Sequence, residues 1–253
     1  MTRMILSGCG GAMGKVVSNC AAERSDIEIV AGIDHRTDSE FAYPLYPSPD
    51  KIDQKADVLI DFSHPTLLQP LLEFGKKTKT PLVLCTTGYD KEQVQDLKTA
   101  SQEIPIFYSR NMSLGINLLM ELARKAESVL GTAFDVEIVE AHHNQKIDAP
   151  SGTALMIADA VAEVSDGQMH YMYDRHSQRK KRAGNEIGIH SIRGGTIVGE
   201  HKVIFAGPHE ILTISHSAQS REIFANGALN AAAFLSSKGK GLYSMADLIR
   251  QED

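Results

Sequence analysis

The sequence predicts an α/β protein of two unlike domains: a Rossmann-like parallel-sheet nucleotide-binding domain and an α+β mixed-sheet domain. Three observations lead to this prediction. Short apolar β-rich runs alternate with helical patterns in the first third of the chain, a glycine-rich loop follows the first of these runs, and the stretch 188–217 is β-rich with no helix inside it. Strands alternating with helices imply parallel pairing through right-handed crossovers, whereas consecutive β runs favour antiparallel or mixed pairing.

Apolar spacing predicts each element of the first domain. A strand over 4–6 leads into the glycine loop, and apolar residues then recur at helical spacing over 13–20. The remaining predicted elements are strands over 27–33, 58–62, 82–85 and 104–108, with helices over 67–76 and 91–101.

The pattern changes in the middle of the chain, which predicts a domain boundary near 111–113. The predicted elements that follow are a long amphipathic helix over 114–130, a strand over 136–141, a helix over 153–164, and β runs over 188–193, 196–205 and 210–217. Small residues then predict a helix over 225–235, followed by a short segment over 243–249. Either half of the fold could hold these last two elements.

Composition limits the classes of function. The 253 residues include 26 Lys and Arg against 32 Asp and Glu, a formal net charge of −6. A general nucleic-acid binder is usually strongly basic. No apolar run approaches the roughly 20 residues of a membrane span, and the N-terminal apolar stretch is too short for a secretory signal. Cys9, Cys20 and Cys85 match no zinc spacing. We therefore expect a cytoplasmic protein with reduced thiols and with no nucleic-acid or membrane partner.

The glycine loop has the spacing G-x-x-G-x-x-G over 8–14, with Asp34 at the tip of the second predicted strand. Glycines at such a turn bring backbone N–H groups close to a pyrophosphate, and a carboxylate at the second strand accepts from a ribose diol. The alternative is an ordinary glycine-rich turn with a surface Asp. Two further turns, at 85–88 and 109–112, follow strands at the same edge, so the context favours a dinucleotide site.

The densest polar stretch of the chain is 140–153, where a predicted strand ends and a helix begins. His142 and His143 are adjacent, so their side chains face opposite ways on a strand, and no H-E-x-x-H or Cys/His cluster accompanies them. A metal is therefore not expected. Histidine and lysine transfer protons near neutral pH and pair with carboxylates. The two histidines and Lys146 are therefore candidates for proton transfer and for binding a carboxylate.

The helix start after these residues has the composition of an anion site. Ser151 can cap the helix, while Gly152 and Thr153 place backbone N–H groups at its first turn. A capped helix beside two structurally satisfied histidines explains the same residues. The nucleotide-binding pattern upstream favours a substrate site.

A basic run, 175–182, stands inside this acidic protein. Such a run is usually a solvated loop. It could also attract an anionic substrate at long range, but the solvated loop is the preferred interpretation.

Residues 140–154 closely resemble the signature of the 4-hydroxy-tetrahydrodipicolinate reductase (dihydrodipicolinate reductase) family. That signature reads E-x-H-H-x-x-K-x-D-x-P-S-G-T-A, and every fixed position is present. The resemblance covers essentially the whole chain. It includes the glycine loop, the T-T-G turn at 86–88, the segment 194–201 ending in G-E-H, and the segment 220–228.

The resemblance implies a dinucleotide-binding domain of residues 1–112 and 223–253, with residues 113–222 forming a substrate-binding and tetramerisation domain. The implied reaction is the NADH- or NADPH-dependent reduction of 4-hydroxy-tetrahydrodipicolinate to tetrahydrodipicolinate, with loss of water, in lysine and diaminopimelate biosynthesis. The expected partners are a small dicarboxylate substrate and further copies of the chain in a homotetramer.

The resemblance also assigns roles to residues. His142 would be the proton donor and acceptor and Lys146 a proton donor, while His143, Gly152 and Thr153 would hold a substrate carboxylate. A larger set would contact the cofactor: Gly8, Cys9, Gly10, Gly11, Ala12, Met13, Asp34, Cys85, Thr86, Thr87, Ser109, Arg110, Asn111 and Met112.

The sequence departs from the family at the cofactor site. Relatives often carry Arg at the positions of Ala12 and His35, both able to reach a 2′-phosphate, and here Arg36 is the nearest remaining cation. Because Asp34 can accept from the free ribose diol, we predict that NADH is used at least as well as NADPH. The residue before the T-T-G turn is usually Gly in the family and is Cys85 here.

Two alternatives compete with this interpretation. Another two-domain NAD(P)-dependent dehydrogenase of an amino-acid pathway is the first, but an aspartate-semialdehyde type needs a thiol nucleophile and all three cysteines lie at or before Cys85. A homoserine type leaves the paired histidines, the lysine and P-S-G-T unexplained. A non-catalytic nucleotide-sensing module is the second, and it would not need the intact His142 and Lys146.

Overall fold

A computed structural model describes residues 1–35 and 41–250. The strands are β1 (Thr2–Ser7), β2 (Ile27–Ile33), β3 (Leu45–Tyr46), β4 (Val58–Asp61), β5 (Leu82–Leu84), β6 (Pro105–Tyr108), β7 (Asp135–His142), β8 (His170–Met172), β9 (Glu186–Arg193), β10 (Gly199–Ala206), β11 (Ile211–Ala218) and β12 (Gly241–Tyr243). The helices are α1 (Ala12–Ala22), α2 (Leu68–Thr78), α3 (Lys91–Ala100), α4 (Leu114–Leu130), α5 (Gly152–Ala162), α6 (Glu222–Leu235) and α7 (Met245–Arg250). Across these two described ranges, no helix combines the length and apolar character that crossing a membrane requires.

The chain divides into two compact units. The first unit consists of Met1–Leu114 and the C-terminal segment from Arg221, and the second unit is Gly115–Ser220. The first unit contains a seven-stranded sheet in the order β12-β6-β5-β4-β1-β2-β3, in which every neighbouring pair is parallel. The predicted Rossmann-like parallel sheet is therefore confirmed.

Helices cover both faces of this sheet, which explains why its strands are continuous apolar runs. Met4 and Leu6 of β1 belong to the core cluster that includes α1 and α6. Ile5, between them, belongs to the cluster on the opposite face, with α2 and α3. Because successive side chains of a strand point to opposite faces, consecutive residues of β1 from Met4 to Ser7 are all buried.

Small residues let α6 pack closely in the first unit. A Cβ on Gly227 would lie 1.7 Å from the carbonyl oxygen of Met112, so only glycine fits there. Arg24 Nη1 also donates to Asn230 Oδ1 at 2.7 Å. The sequence left open which half of the fold holds 225–235, and the structure assigns this segment to the first unit.

The second unit contains a mixed five-stranded sheet in the order β11-β10-β7-β9-β8. β10 is antiparallel to β7 and β11, whereas β9 is parallel to β7 and β8. α4 and α5 pack against one face, where they bury Ile138, Ile189 and Val203. The predicted mixed sheet is confirmed.

The bounds of the predicted strands and helices differ from the observed ones by at most three residues. The sequence did not predict β3, β8 and β12. Each of these strands has only two or three residues, which is too short for a periodic pattern to emerge.

Candidate active site

The glycine loop lies between β1 and α1 and depends on close backbone approaches. Gly8 has φ of +77°, and a Cβ there would lie 2.6 Å from the carbonyl oxygen of Phe62. A Cβ on Gly14 would lie 2.2 Å from the carbonyl oxygen of Gly8. Gly11 precedes α1 and provides no side-chain cap, and the first turn of α1 carries no acidic residue. The loop therefore presents helix-start amides, a suitable environment for phosphate oxygens.

Asp34 directly follows β2 and is bonded to this loop. Its Oδ2 accepts the N–H of Gly10 at 2.9 Å, and His35 Nδ1 lies 3.3 Å from its Oδ1. The Asp34 side chain is 8% exposed, whereas that of His35 is 81% exposed. The carboxylate thus lies beside the glycine loop, where it can face a ribose. Arg36, the remaining cation that the sequence indicated, lies outside the described residues.

A buried carboxylate holds the T-T-G turn. Asp61, the last residue of β4, accepts hydrogen bonds from Thr86 Oγ1 at 2.6 Å and Ser63 Oγ at 2.5 Å, and its carbonyl oxygen accepts the N–H of Cys85 at 3.0 Å. Burial raises the pKa of Asp61 despite these hydrogen bonds. Asp61 is not among the residues predicted from the sequence, where its one signal is a polar residue closing a buried strand. Thr87 is exposed in the same turn.

The turn after β6 is organised by its own side chains. Ser109 Oγ donates to the carbonyl oxygen of Asn111 at 2.7 Å, and Asn111 Oδ1 accepts the N–H of Ser113 at 2.9 Å. Met112 is buried beside this turn, whereas Arg110 is exposed.

The residues predicted to contact a cofactor therefore fall at one edge of the first unit's sheet. They lie at the carboxyl ends of β1, β2, β5 and β6, and β4 stands between β5 and β1 in the sheet order. An open parallel sheet binds ligands at this edge. The uncapped start of α1 suits a pyrophosphate and the carboxylate of Asp34 suits a ribose. These residues fit a nicotinamide dinucleotide.

The three cysteines are free and buried. Burial, reinforced by the charge of Asp34, raises the pKa of Cys9 to about 11. Burial also raises the pKa of Cys85 well above its usual value. Raised pKa values disfavour a thiolate nucleophile. Within residues 1–35 and 41–250, no group of three His, Cys, Asp or Glu side chains is arranged to hold a metal ion.

In the second unit, His142 ends β7 and bonds to a buried carboxylate. Its Nδ1 lies 2.6 Å from Oε2 of Glu140, whose side chain is completely buried. Arg193 of β9 lies opposite His142 in the strand register and donates to Glu140 Oε2 at 2.8 Å and Oε1 at 2.7 Å. Burial alone would raise the pKa of Glu140, but hydrogen bonds from Arg193 and its other donors outweigh burial and lower the pKa to about 2.

The start of α5 is joined to this strand end. The N–H of Ser151 donates to Glu140 Oε1 at 3.1 Å, and Ser151 Oγ accepts the N–H of Ala154 at 3.1 Å as the helix cap. Gly152 and Thr153 form the first turn of α5. Backbone N–H groups at the beginning of a helix bind anions.

His201 is the second histidine of this cluster. Its ring packs edge-on against that of His142, with ring centroids 5.3 Å apart, and its Nε2 lies 3.2 Å from Ser151 Oγ. Burial, together with the nearby His142, lowers the pKa of His201 to about 4, so this ring is neutral at neutral pH. In the sequence, His201 stands out only as the end of the G-E-H segment.

The loop between β7 and α5 carries the remaining predicted residues. The N–H of Lys146 donates to the carbonyl oxygen of His143 at 3.1 Å. Lys146 Nζ lies 2.8 Å from Asp148 Oδ1, and the lysine side chain is 23% exposed. The five predicted catalytic and substrate residues of the second unit therefore lie on one strand end, one loop and one helix start.

The basic run is a largely exposed loop, as the sequence predicted, but two of its arginines form ion pairs with the sheet. Arg175 pairs with Glu137 and Glu186, both at 2.8 Å. Arg182 pairs with Asp135 at 2.7 Å and Glu137 at 3.1 Å. The carboxylates that pair with these two arginines range from buried Glu186 to exposed Asp135, and the other residues of the run are exposed.

Comparison with known proteins agrees with this arrangement. Residues 2–112 match the family model described as Dihydrodipicolinate reductase, N-terminus, and residues 115–249 match the model for its C-terminus. The chain is 52% identical to 4-hydroxy-tetrahydrodipicolinate reductase of Caldanaerobacter subterraneus subsp. tengcongensis, covering 99% of both chains. It is 47% identical to the Clostridium tetani enzyme of the same name, covering 97% of this chain and 96% of that one.

A solved structure is similar over nearly the whole chain. It is the dipicolinate-bound dihydrodipicolinate reductase from Paenisporosarcina sp. TG-14, with 25% sequence identity and a TM-score of 0.81. The similarity covers 96% of this chain and 97% of that one.

Proposed function

The chain belongs to the dihydrodipicolinate reductase family. On this basis we propose which of its residues bind the cofactor, bind the substrate and transfer the proton. It is an NAD(P)H-dependent oxidoreductase that reduces 4-hydroxy-tetrahydrodipicolinate to tetrahydrodipicolinate with loss of water, a step of lysine and diaminopimelate biosynthesis. We assign cofactor binding to residues 1–112 and 223–253, and substrate binding to residues 113–222.

The substrate is a small dicarboxylate, and His143, Gly152 and Thr153 hold one of its carboxylates. The observation that carries this proposal is the junction of β7 with α5, where the N–H of Ser151 donates to Glu140 at 3.1 Å. That hydrogen bond holds the helix start beside the strand that bears the histidines. Helix-start amides and a histidine complement the charge of a carboxylate.

His142 and Lys146 transfer the proton that the reduction requires. The reduction takes up a proton together with the hydride, and a donor already held in place lowers the barrier to that transfer. His142 is the proton donor and acceptor, because an imidazole ring nitrogen can give up a proton and take one back. Lys146 is a second proton donor and adds positive charge opposite the dianionic substrate. Its ion pair with Asp148, at 2.8 Å, restrains its side chain.

NADH or NADPH supplies the hydride when bound. The glycine loop at 8–13 receives the pyrophosphate and Asp34 the ribose. The turns at 85–87 and 109–112, which Asp61 and Asn111 organise through hydrogen bonds, line the remainder of the site. Because Asp34 is an acidic residue beside the loop, NADH is used at least as well as NADPH.

The enzyme assembles as a homotetramer through the second unit. On the sheet face opposite α4 and α5, Ile192 is 51% exposed and Ile211 is 68% exposed. The two side chains lie near opposite corners of this face, and exposed apolar side chains on a sheet face support its use as an interaction surface. Sedimentation analysis should show a tetramer that Ile211→Asp weakens, and a monomeric wild-type chain would contradict this assembly.

Three free buried thiols suit a reducing cytoplasm.

Calorimetry with dipicolinate tests the substrate site. His143→Ala should raise the Kd for dipicolinate by about 10-fold or more, because a hydrogen bond to a charged group contributes roughly 1.5–3 kcal/mol. His176→Ala is a matched control, since His176 is an exposed histidine of the same unit. Unchanged dipicolinate binding in His143→Ala would remove His143 from the site.

A further inference from the structure

We propose that Glu140, clamped by Arg193, is a positioning residue that fixes the tautomer and the ring orientation of His142. This inference rests on the proposed role of His142 in proton transfer. The Glu140 side chain is completely buried. Its Oε2 faces His142 Nδ1 and Arg193 Nη1, and its Oε1 faces Arg193 Nη2 and the N–H of Ser151. A buried charge is stable only when it is paired and hydrogen-bonded in this way.

The charge state of Glu140 determines which nitrogen of His142 carries a proton. An ionised carboxylate only accepts hydrogen bonds, so Nδ1 of His142 must be the donor across the 2.6 Å contact. In the neutral ring the lone pair is then on Nε2, and in the protonated ring the transferable proton is on Nε2. Gly199 leaves space beside that atom, because a Cβ there would lie 3.1 Å from Nε2.

Arg193 keeps the carboxylate from rotating away from the ring. Its planar fork engages both oxygens of Glu140, at 2.7 and 2.8 Å. The same guanidinium donates to the carbonyl oxygens of Asp148 at 2.6 Å and Ile192 at 2.7 Å. Arg193 therefore ties together β7, β9 and the loop that carries Lys146. A bidentate arginine restricts both partners to one geometry, which a lysine cannot do.

An amide in place of this carboxylate cannot satisfy the same neighbours. Each oxygen of Glu140 accepts from the Arg193 guanidinium and from one further donor, the N–H of Ser151 or His142 Nδ1, and the Ser191 hydroxyl, which can donate or accept, also bonds to Glu140. In Glu140→Gln, the NH₂ group must face one of these donors. If the NH₂ group replaces Oε2, the neutral His142 ring has to present its Nδ1 lone pair, which moves the proton to Nε2 and removes the acceptor there.

Three variants separate positioning from general destabilisation. Glu140→Gln should lower kcat by about 100-fold, with the KM for substrate changed by less than about 5-fold and the Kd for NADH unchanged. Glu140→Asp keeps a carboxylate and should restore part of this loss. Glu127→Gln is the matched control, because Glu127 is a buried glutamate of α4 in the same unit and bonds to Ser165 rather than to the histidines. Its kcat should stay within about 2-fold of wild type.

Nitrogen-15 spectra of the imidazole give a readout that a purely structural role would not change. In the wild-type enzyme, at a pH where His142 is neutral, Nδ1 should be the protonated nitrogen. Glu140→Gln should show increased Nε2 protonation, and Glu140→Asp should retain the wild-type pattern. A wild-type ring protonated on Nε2 would overturn the proposal without any variant. Equal loss of kcat in Glu127→Gln and Glu140→Gln would also overturn it.

Different measurements would refute the role of His142 in proton transfer and the positioning role of Glu140. Full turnover in His142→Gln would refute the proton-transfer role of His142. The tautomer of the wild-type ring and its response to Glu140 substitutions would still report whether Glu140 positions it.

Discussion

The choice between NADH and NADPH depends on one carboxylate, which the substitution Asp34→Asn removes without changing the size of the side chain. Asp34 Oδ2 accepts the N–H of Gly10 at 2.9 Å, and the asparagine amide oxygen can accept the same bond. The loop geometry is therefore retained, while the negative charge beside the ribose is lost.

The expected effect follows from the charge of a 2′-phosphate. Two like unit charges 4 Å apart repel by about 4 kcal/mol at an effective dielectric constant of 20, and by about 1 kcal/mol in bulk water. The Asp34 side chain is 8% exposed, so its repulsion lies between these limits. We expect Asp34→Asn to shift the ratio of kcat/KM for NADH to that for NADPH by about 10- to 100-fold towards NADPH.

Steady-state kinetics with both cofactors measure this ratio. The matched control is Asp57→Asn, because Asp57 Oδ2 also accepts a backbone N–H, that of Arg3, at 2.7 Å, but it directly precedes β4 at the opposite edge of the sheet. The control should leave the ratio unchanged. A wild-type enzyme with much higher kcat/KM for NADPH, or an unchanged ratio in Asp34→Asn, would refute the reasoning.

The remaining predictions concern acid stability and the glycine loop. Burial lowers the pKa of His201 from 6.5 to about 4, so as the pH falls the unfolded chain binds this proton at a higher pH than the folded chain does. The free energy of unfolding should therefore fall by roughly 3 kcal/mol as the pH drops from 6.5 to 4. His201→Gln should lose that dependence in urea titrations, and an unchanged dependence would exclude His201 as its source. The pKa of Glu140 is lowered from 4.5 to about 2, so its contribution is present above pH 4.5 and a further loss should follow below that pH. A Cβ on Gly14 would lie 2.2 Å from the carbonyl oxygen of Gly8, so Gly14→Ala should raise the Kd for NADH at least 10-fold. A Cβ on Gly11 would lie 3.3 Å from the same oxygen, so Gly11→Ala should be milder, and equal Kd values would contradict the steric argument.

Much of the fold could be predicted because its strongest patterns are local. The predicted strand 27–33 and helix 114–130 have the bounds of β2 and α4, since a continuous apolar run and a long amphipathic repeat are both legible in one sequence. β3 has no such pattern. Its two residues, Leu45 and Tyr46, form a strand only because they pair with Gly32 and Ile33.

The functional residues also divide into those that a local sequence pattern shows and those that only the fold brings together. The segment 140–153 carries its histidines, lysine and helix cap in consecutive residues, so the sequence could indicate the chemistry. Arg193 lies 53 residues from Glu140, and only the β7–β9 register brings the two together. Asp61 is visible in the sequence only as a polar residue that closes a buried strand, because its role depends on Thr86 in the neighbouring turn.

Turnover of the proton-transfer variants tests the central claim most directly. Coupling to the enzyme that supplies the substrate, and following the loss of reduced-nicotinamide absorbance, gives kcat for wild type, His142→Gln and Lys146→Ala. We predict that each variant lowers kcat by roughly 100-fold or more while the Kd for NADH stays similar. Near-normal turnover in both variants would contradict the assignment of proton transfer to His142 and Lys146.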